Sequence, residues 1–287
     1  GRDDSLSVND EEQLSVSDED TLSVPEEETV LQDGDDGVPS GYDPTVGPPD
    51  DPTPAQAPAQ AAASTPQLTP YQQLCADLNN GKSVIYLTGD ISLNSAIPDI
   101  KYNVVIDGQG HTIDGQSKTI FRVTSYTYHT VTFKNIILKN GHGDRGGAVY
   151  CFNAQVNFDN CQFISNTANQ GGAIWCFDGN LNIQNCQFIS NTAYDNGGAI
   201  YHSTGYLYVA NSYFKSNKVD SSKKMGHGGA IWFYAGSSKI IKSKFVDNTC
   251  VSKKLKKHSQ ATKYQFGGGA VYYNEGKNHE IIDCEFT

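Results

Sequence analysis

One pentapeptide, met five times, constrains this chain more than any other feature. Gly146-Gly147-Ala148-Val149-Tyr150 returns as Gly171-Gly172-Ala173-Ile174-Trp175, Gly197-Gly198-Ala199-Ile200-Tyr201, Gly228-Gly229-Ala230-Ile231-Trp232 and Gly268-Gly269-Ala270-Val271-Tyr272, at intervals of 25, 26, 31 and 40 residues. A glycine-punctuated unit of this length, rich in β-branched residues, cannot bury its apolar face alone and must stack on copies of itself. A second landmark alternates with the first. It reads Asn160-Cys161-Gln162-Phe163-Ile164-Ser165-Asn166, then Asn185-Cys186-Gln187-Phe188-Ile189-Ser190-Asn191, Asn211-Ser212-Tyr213-Phe214-Lys215-Ser216-Asn217 and Lys242-Ser243-Lys244-Phe245-Val246-Asp247-Asn248. A degenerate copy, Asn135-Ile136-Ile137-Leu138-Lys139-Asn140, precedes these, and Asp283-Cys284-Glu285-Phe286 begins a last one.

The apolar period is two rather than 3.6, which excludes stacked helix pairs, and a β-propeller blade needs about 40–45 residues. Short strands with turns at fixed places specify an all-β chain wound as a single-stranded parallel β-helix of about six or seven coils. Alternation puts Phe158, Ile183, Val209, Ile240 and Ile281 on one inner ladder and Phe163, Phe188, Phe214, Phe245 and Phe286 on another. The Asn that ends each phenylalanine segment suits a left-handed or a side-chain-bonded turn. The glycine pair gives a tight corner without Cβ atoms.

Gly-Gly-Ala-Ile/Val alternating with Phe-x-x-Asn resembles the repeats of chlamydial polymorphic outer membrane proteins. Leu87-Thr88-Gly89-Asp90 and Ile106-Asp107-Gly108-Gln109-Gly110-His111-Thr112-Ile113-Asp114-Gly115 make the chain look even more like the adhesin-like surface proteins of methanogenic archaea. The resemblance covers residues 67–287. It implies a secreted, right-handed parallel β-helix at the cell surface, used in attachment to glycans or proteins of another cell.

Charge divides the chain. Residues 1–66 hold 17 acidic residues and one base, Arg2, so residues 67–287 carry the other 20 bases and 15 acids, a net of +5 against −16. Leu6-Ser7-Val8, Leu14-Ser15-Val16 and Leu22-Ser23-Val24 recur every eight residues among Asp and Glu. Residues 1–38 are therefore expected to be a disordered acidic tail, too poor in apolar residues to offset ordering entropy. The Pro/Ala-rich stretch 39–66 reads as a semi-stiff linker. Residues 67–130 read as a cap and first coils, and 131–287 as repeat coils that stop inside a repeat, as a fragment or processed product would. A short helix opens the folded part, with Thr69 as N-cap, Pro70 at N1, Gly81 at its end and Tyr71, Leu74, Cys75 and Leu78 on one stripe. No apolar run is long enough to span a membrane.

Seven cysteines are present. Cys151 with Cys176, and Cys161 with Cys186 and Cys284, fall at equivalent repeat positions. Neighbouring coils permit disulfide distances, but parallel side-chain vectors do not favour the bond. These are read as small buried residues with free thiols.

Two surface features are candidate contacts. Tyr150, Trp175, Tyr201, Trp232 and Tyr272 follow the inward Ile/Val and should point outward as a ladder of parallel platforms, suited to sugar rings or an apolar partner. The insertions Val219–His227 and Cys250–Phe266 should emerge along one edge carrying Lys223, Lys224, Lys253, Lys254, Lys256, Lys257 and Lys263, attractive to an anionic polymer or the acidic tail. Nothing marks a nucleic-acid module, a metal site or a cofactor. The alternatives are a purely structural stalk or a polysaccharide lyase or hydrolase on the same scaffold. For the enzyme, His142 with Asp144-Arg145, and Asp178 with His202, are the best groupings, but neither spacing sets two acids on adjacent coils with a base between them. Asp107 and Asp114 are read as turn formers, leaving no catalytic residue to assign.

Overall fold

The computed structural model describes residues 67–221, 226–252 and 269–287. All belong to the second of two units, Ala62–Thr287. The tail over 1–38 and the linker over 39–66 lie outside the described residues.

The chain winds as a parallel β-helix with four strands to a complete coil. In one coil these are Val149–Phe152, Gln155–Asp159, Gln162–Ile164 and Thr167–Gln170. Each strand pairs in parallel with its counterpart in the next coil, giving four sheets, numbered 1 to 4 in that order. Among the described residues they hold six, eight, eight and five strands. Eight rungs exceed the six or seven expected, because Val84–Tyr86 and Ile91–Ser92 already form the first rung of sheets 2 and 3.

Register follows the sequence repeat. Phe158 pairs with Ile183, Ile183 with Val209, Val209 with Ile240 and Ile240 with Ile281. Phe163, Phe188, Phe214 and Phe245 pair successively, with ring centroids 4.5, 4.6 and 4.7 Å apart. The rung spacing of about 4.8 Å thus equals a ring-stacking distance, so the core is a continuous column. The 26-residue interval has a local cause: the register shifts in sheet 4 between Ala168 and Gln170, where Gln170 pairs with Asn196.

The corners explain the invariant-looking residues. The first glycine of the four pairs described in full is left-handed, with φ of +65°, +63°, +67° and +68° at Gly146, Gly171, Gly197 and Gly228. The second lies under its counterpart: a Cβ on Gly172 would run into the carbonyl oxygen of Gly198. Between sheets 2 and 3 the left-handed residue is Asn135, Asn160, Asn185 or Asn211, and later Lys242 and Asp283. Between sheets 3 and 4 it is Asn140, Ser165, Ser190, Ser216 or Asp247, and in the four complete copies it is not the Asn that follows. That Asn turns inward. Asn191 Nδ2 donates to Phe163 O (3.0 Å) and to Asn217 Oδ1 (2.9 Å), while its own Oδ1 accepts from Asn166 N (3.0 Å). Asn166, Asn191, Asn217 and Asn248 form one such ladder. Of the two turn roles, side-chain bonding is the one these asparagines take.

The helix Pro70–Asn79 packs against the first rungs of sheets 2 and 3. Its capping box is complete: Thr69 Oγ1 accepts from Gln72 N and Gln72 Oε1 accepts from Thr69 N. Leu74 and Leu78 are buried, and buried Asp77 is neutralised by Lys82 at 2.7 Å. No described helix is long and apolar enough to cross a membrane.

Candidate functional site

Sheet 1 carries the aromatic ladder on its outward side. Arg122, Tyr150, Trp175, Tyr201, Trp232 and Tyr272 pair one to the next along the axis. The Tyr150–Trp175, Trp175–Tyr201 and Tyr201–Trp232 centroids lie 4.8, 5.9 and 4.3 Å apart, with planes within 23°. Arg122 and Arg145 set their guanidinium carbons 4.6 and 4.9 Å above Tyr150 and Trp175. Trp175 Nε1 donates to Gln170 Oε1. The rings point outward but lie face against face, so Trp175 is 4% and Trp232 only 8% exposed. Open platforms at these two positions are therefore corrected to a stack whose faces cover one another.

What remains accessible stands two residues further along each strand. Phe152 and Phe177 pair in register, stack at 6.1 Å and are 38% and 39% exposed. Tyr234, in the same file beyond Ser203, is 38% exposed and packs beside Trp232 at 5.7 Å. Exposed Tyr126 and Tyr128 occupy the turn between sheets 1 and 2, and exposed Tyr206 begins a sheet 2 strand. Asn180 Nδ2 donates to Tyr128 Oη at 3.0 Å, tying the turn to a strand two coils on. These six rings form an aromatic ridge along the corner of sheets 1 and 2. Sequence reading missed it because the file is broken by Ser203 and two of its rings lie outside the repeat.

The lysines of the basic edge, Lys223, Lys224, Lys253, Lys254, Lys256, Lys257 and Lys263, lie outside the described residues. The segments leading to them begin as sheet 4 strands, Lys218–Ser221 and Thr249–Ser252. Val219, expected in a loop, is wholly buried there, and Cys250 pairs with it. That is a correction: both insertions start one strand later.

Groups that could do chemistry are held by structural bonds. Asp107 Oδ1 accepts from Gln109 N at 2.9 Å, and Asp114 Oδ1 from Gln116 N at 3.1 Å, as turn formers do. His142 Nδ1 bonds Thr167 Oγ1 (2.8 Å) and Asp144 accepts from Asn169 Nδ2 (2.6 Å). His202 is fully buried, with Nε2 on Gly179 O (3.1 Å) and its ring stacked on Phe233; burial lowers its pKa to about 4. It faces the core, away from exposed Asp178. One grouping was not foreseen: Ser238 Oγ lies 3.0 Å from both Tyr273 Oη and His279 Nδ1, but Ser238 is buried. The seven cysteines are free. Cys151 and Cys176 meet at Sγ–Sγ 3.0 Å, and burial pushes the Cys176 and Cys186 thiols well up, so they stay protonated.

Comparison with known families agrees with the parallel β-helix fold. Residues 67–170 match the model of a pectate lyase-like adhesive domain. Residues 185–203 match the Chlamydia polymorphic membrane protein repeat. Over these two segments the chain resembles adhesin-like surface proteins. No curated protein and no solved structure matches it. The first match runs from the helix to the end of the coil that carries Phe152, and the second spans Asn185 to Ser203, one phenylalanine segment with the glycine corner after it.

Proposed function

We propose that this chain attaches a cell surface to glycans or proteins of another cell, outside the cell and without catalysis, through the aromatic ridge of Tyr126, Tyr128, Phe152, Phe177, Tyr206 and Tyr234. The observation that carries the reading is the exposure of Phe152, Phe177 and Tyr234 on a rigid, in-register support. Large exposed aromatic side chains in a row are costly to leave in water and mark interaction surfaces. The ladder of Tyr150, Trp175, Tyr201, Trp232 and Tyr272 holds the ridge from beneath, and Tyr150, Tyr201 and Tyr272, half-exposed, extend it. The adhesive-domain match over residues 67–170 supports the same role.

The non-catalytic reading rests on how the acids and bases are used. His202 is committed to the core, Asp107 and Asp114 to turns, and Ser238 to a buried network. Phe152→Ala combined with Phe177→Ala should reduce attachment to target cells at least ten-fold while the far-UV spectrum stays that of the parent. Undiminished attachment would remove the ridge from the account. Turnover of any member of a polysaccharide panel, with or without calcium, would overturn the non-catalytic part.

A further inference from the structure

We infer that the ligand of this surface is a neutral polysaccharide, lying on the outward face of sheet 2 with the aromatic ridge as its wall. This inference rests on the attachment reading above and adds the ligand class. Two outward files cross four rungs of sheet 2: Thr130, Gln155, Asn180 and Tyr206 in one, Thr132, Asn157, Asn182 and Tyr208 in the other. Every one of the eight side chains ends in a hydroxyl or a carboxamide, and none is charged at neutral pH.

The groups are pre-set by bonds among themselves. Gln155 Nε2 donates to Asn157 Oδ1 (2.8 Å), and Asn157 Nδ2 donates to Thr132 Oγ1 (3.1 Å). On the next rung Gln184 Nε2 donates to Asn182 Oδ1 (3.1 Å). A carboxamide has two N–H donors and two acceptor lone pairs, so each keeps capacity for a sugar hydroxyl. Floor and wall are joined by the Asn180–Tyr128 bond. The rungs repeat every 4.7–4.9 Å or so, close to the length of one sugar unit in an extended chain. Successive sugars would then meet like groups on successive rungs.

Charge decides between ligand classes. An anionic polymer would need cations on the floor, and these two files carry none over the four rungs. The nearest described charges flank it: Asp178 is exposed in the turn before Asn180, Lys134 and Asp159 oppose each other in the adjacent file, and Lys239, one rung beyond, is held by Glu280 at 2.9 Å. A purely apolar partner would leave the carboxamides desolvated without partners, which costs free energy. Hydroxyls with C–H surfaces satisfy both halves of the site.

The test is retention of the full chain on immobilised mannan, galactan and β-glucan against polygalacturonate and heparin. Binding to at least one neutral polymer is expected, unchanged between about 0.05 and 0.5 M salt. Asn157→Asp and Asn182→Asp, each checked for an unaltered melting temperature, should weaken it at least ten-fold, while Gln162→Glu on sheet 3 should not. Salt-sensitive binding confined to the anionic polymers would overturn the inference. Cell attachment without binding to any neutral polymer would overturn it and leave the attachment reading standing; absence of both would remove both.

Discussion

Gly172 and Gly81 put one substitution into two environments. A Cβ on Gly172 meets backbone of the next coil, the Gly198 carbonyl and Thr192, neither of which can move without breaking the register. Gly172→Ala should cost at least about 3 kcal/mol, the upper end of overpacking. Gly81, left-handed at +68° but with open space beside it, should lose only about 1 kcal/mol to backbone strain. Urea midpoints compare the two; equal losses would mean that stacking does not fix the corner glycine. His202 makes a pH prediction. Its folded pKa of about 4 lies below the ordinary 6.5, so between those values the unfolded chain binds the extra proton. Stability is then whole above about pH 6.5 and falls as pH drops toward 4, by a total on the order of 3 kcal/mol. His202→Phe should flatten that part of the profile, and a profile unchanged by the substitution would contradict the assignment. Trp175→Ala, at a site buried between Tyr150 and Tyr201, should cost stability by about 3 kcal/mol or more, measured by thermal melting.

At the scale of the element, the asparagine ladder shows what sequence can and cannot carry. Position was legible: every Phe-x-x-Asn segment ends at the same turn. The role was not, because Asn serves both left-handed and side-chain-bonded turns, and only the coils on either side supply the partners. Asn191→Ala strands Phe163 O and Asn166 N inside the core and should cost roughly 3 kcal/mol or more. Asn185→Ala, at an exposed left-handed corner, should cost about 1 kcal/mol. Equal chevron or melting shifts for the two would contradict the ladder's role. The outward ring file repeats the lesson. Alternation correctly gave the side on which Trp175 lies, but its exposure depends on rings one coil away, at a separation that period-two reasoning does not encode. The helix was the easier reading, since Thr69, Pro70 and Gln72 carry their capping chemistry within four residues.

At the scale of the molecule, stacking in register turns a 25-residue repeat into continuous surfaces, each of one chemistry. The sheet 3 core column is phenylalanine and the sheet 2 core column mostly aliphatic, the sheet 1 face is aromatic, and the sheet 2 face is carboxamide over its middle rungs. This much follows from the repeat itself. The ridge does not, because Tyr126 and Tyr128 sit in the leading coils and Ser203 interrupts the file, so no periodicity announces it. A solenoid presents such a surface along its length, which is what the proposed attachment uses. Hydroxyl-radical footprinting of the full chain, free and bound to target cells, tests the central claim most directly. Protection concentrated on Tyr126, Tyr128, Phe152, Phe177, Tyr206 and Tyr234 is the predicted result. Unchanged labelling there, with protection falling on Tyr213 and the rest of the sheet 3 face, would contradict it.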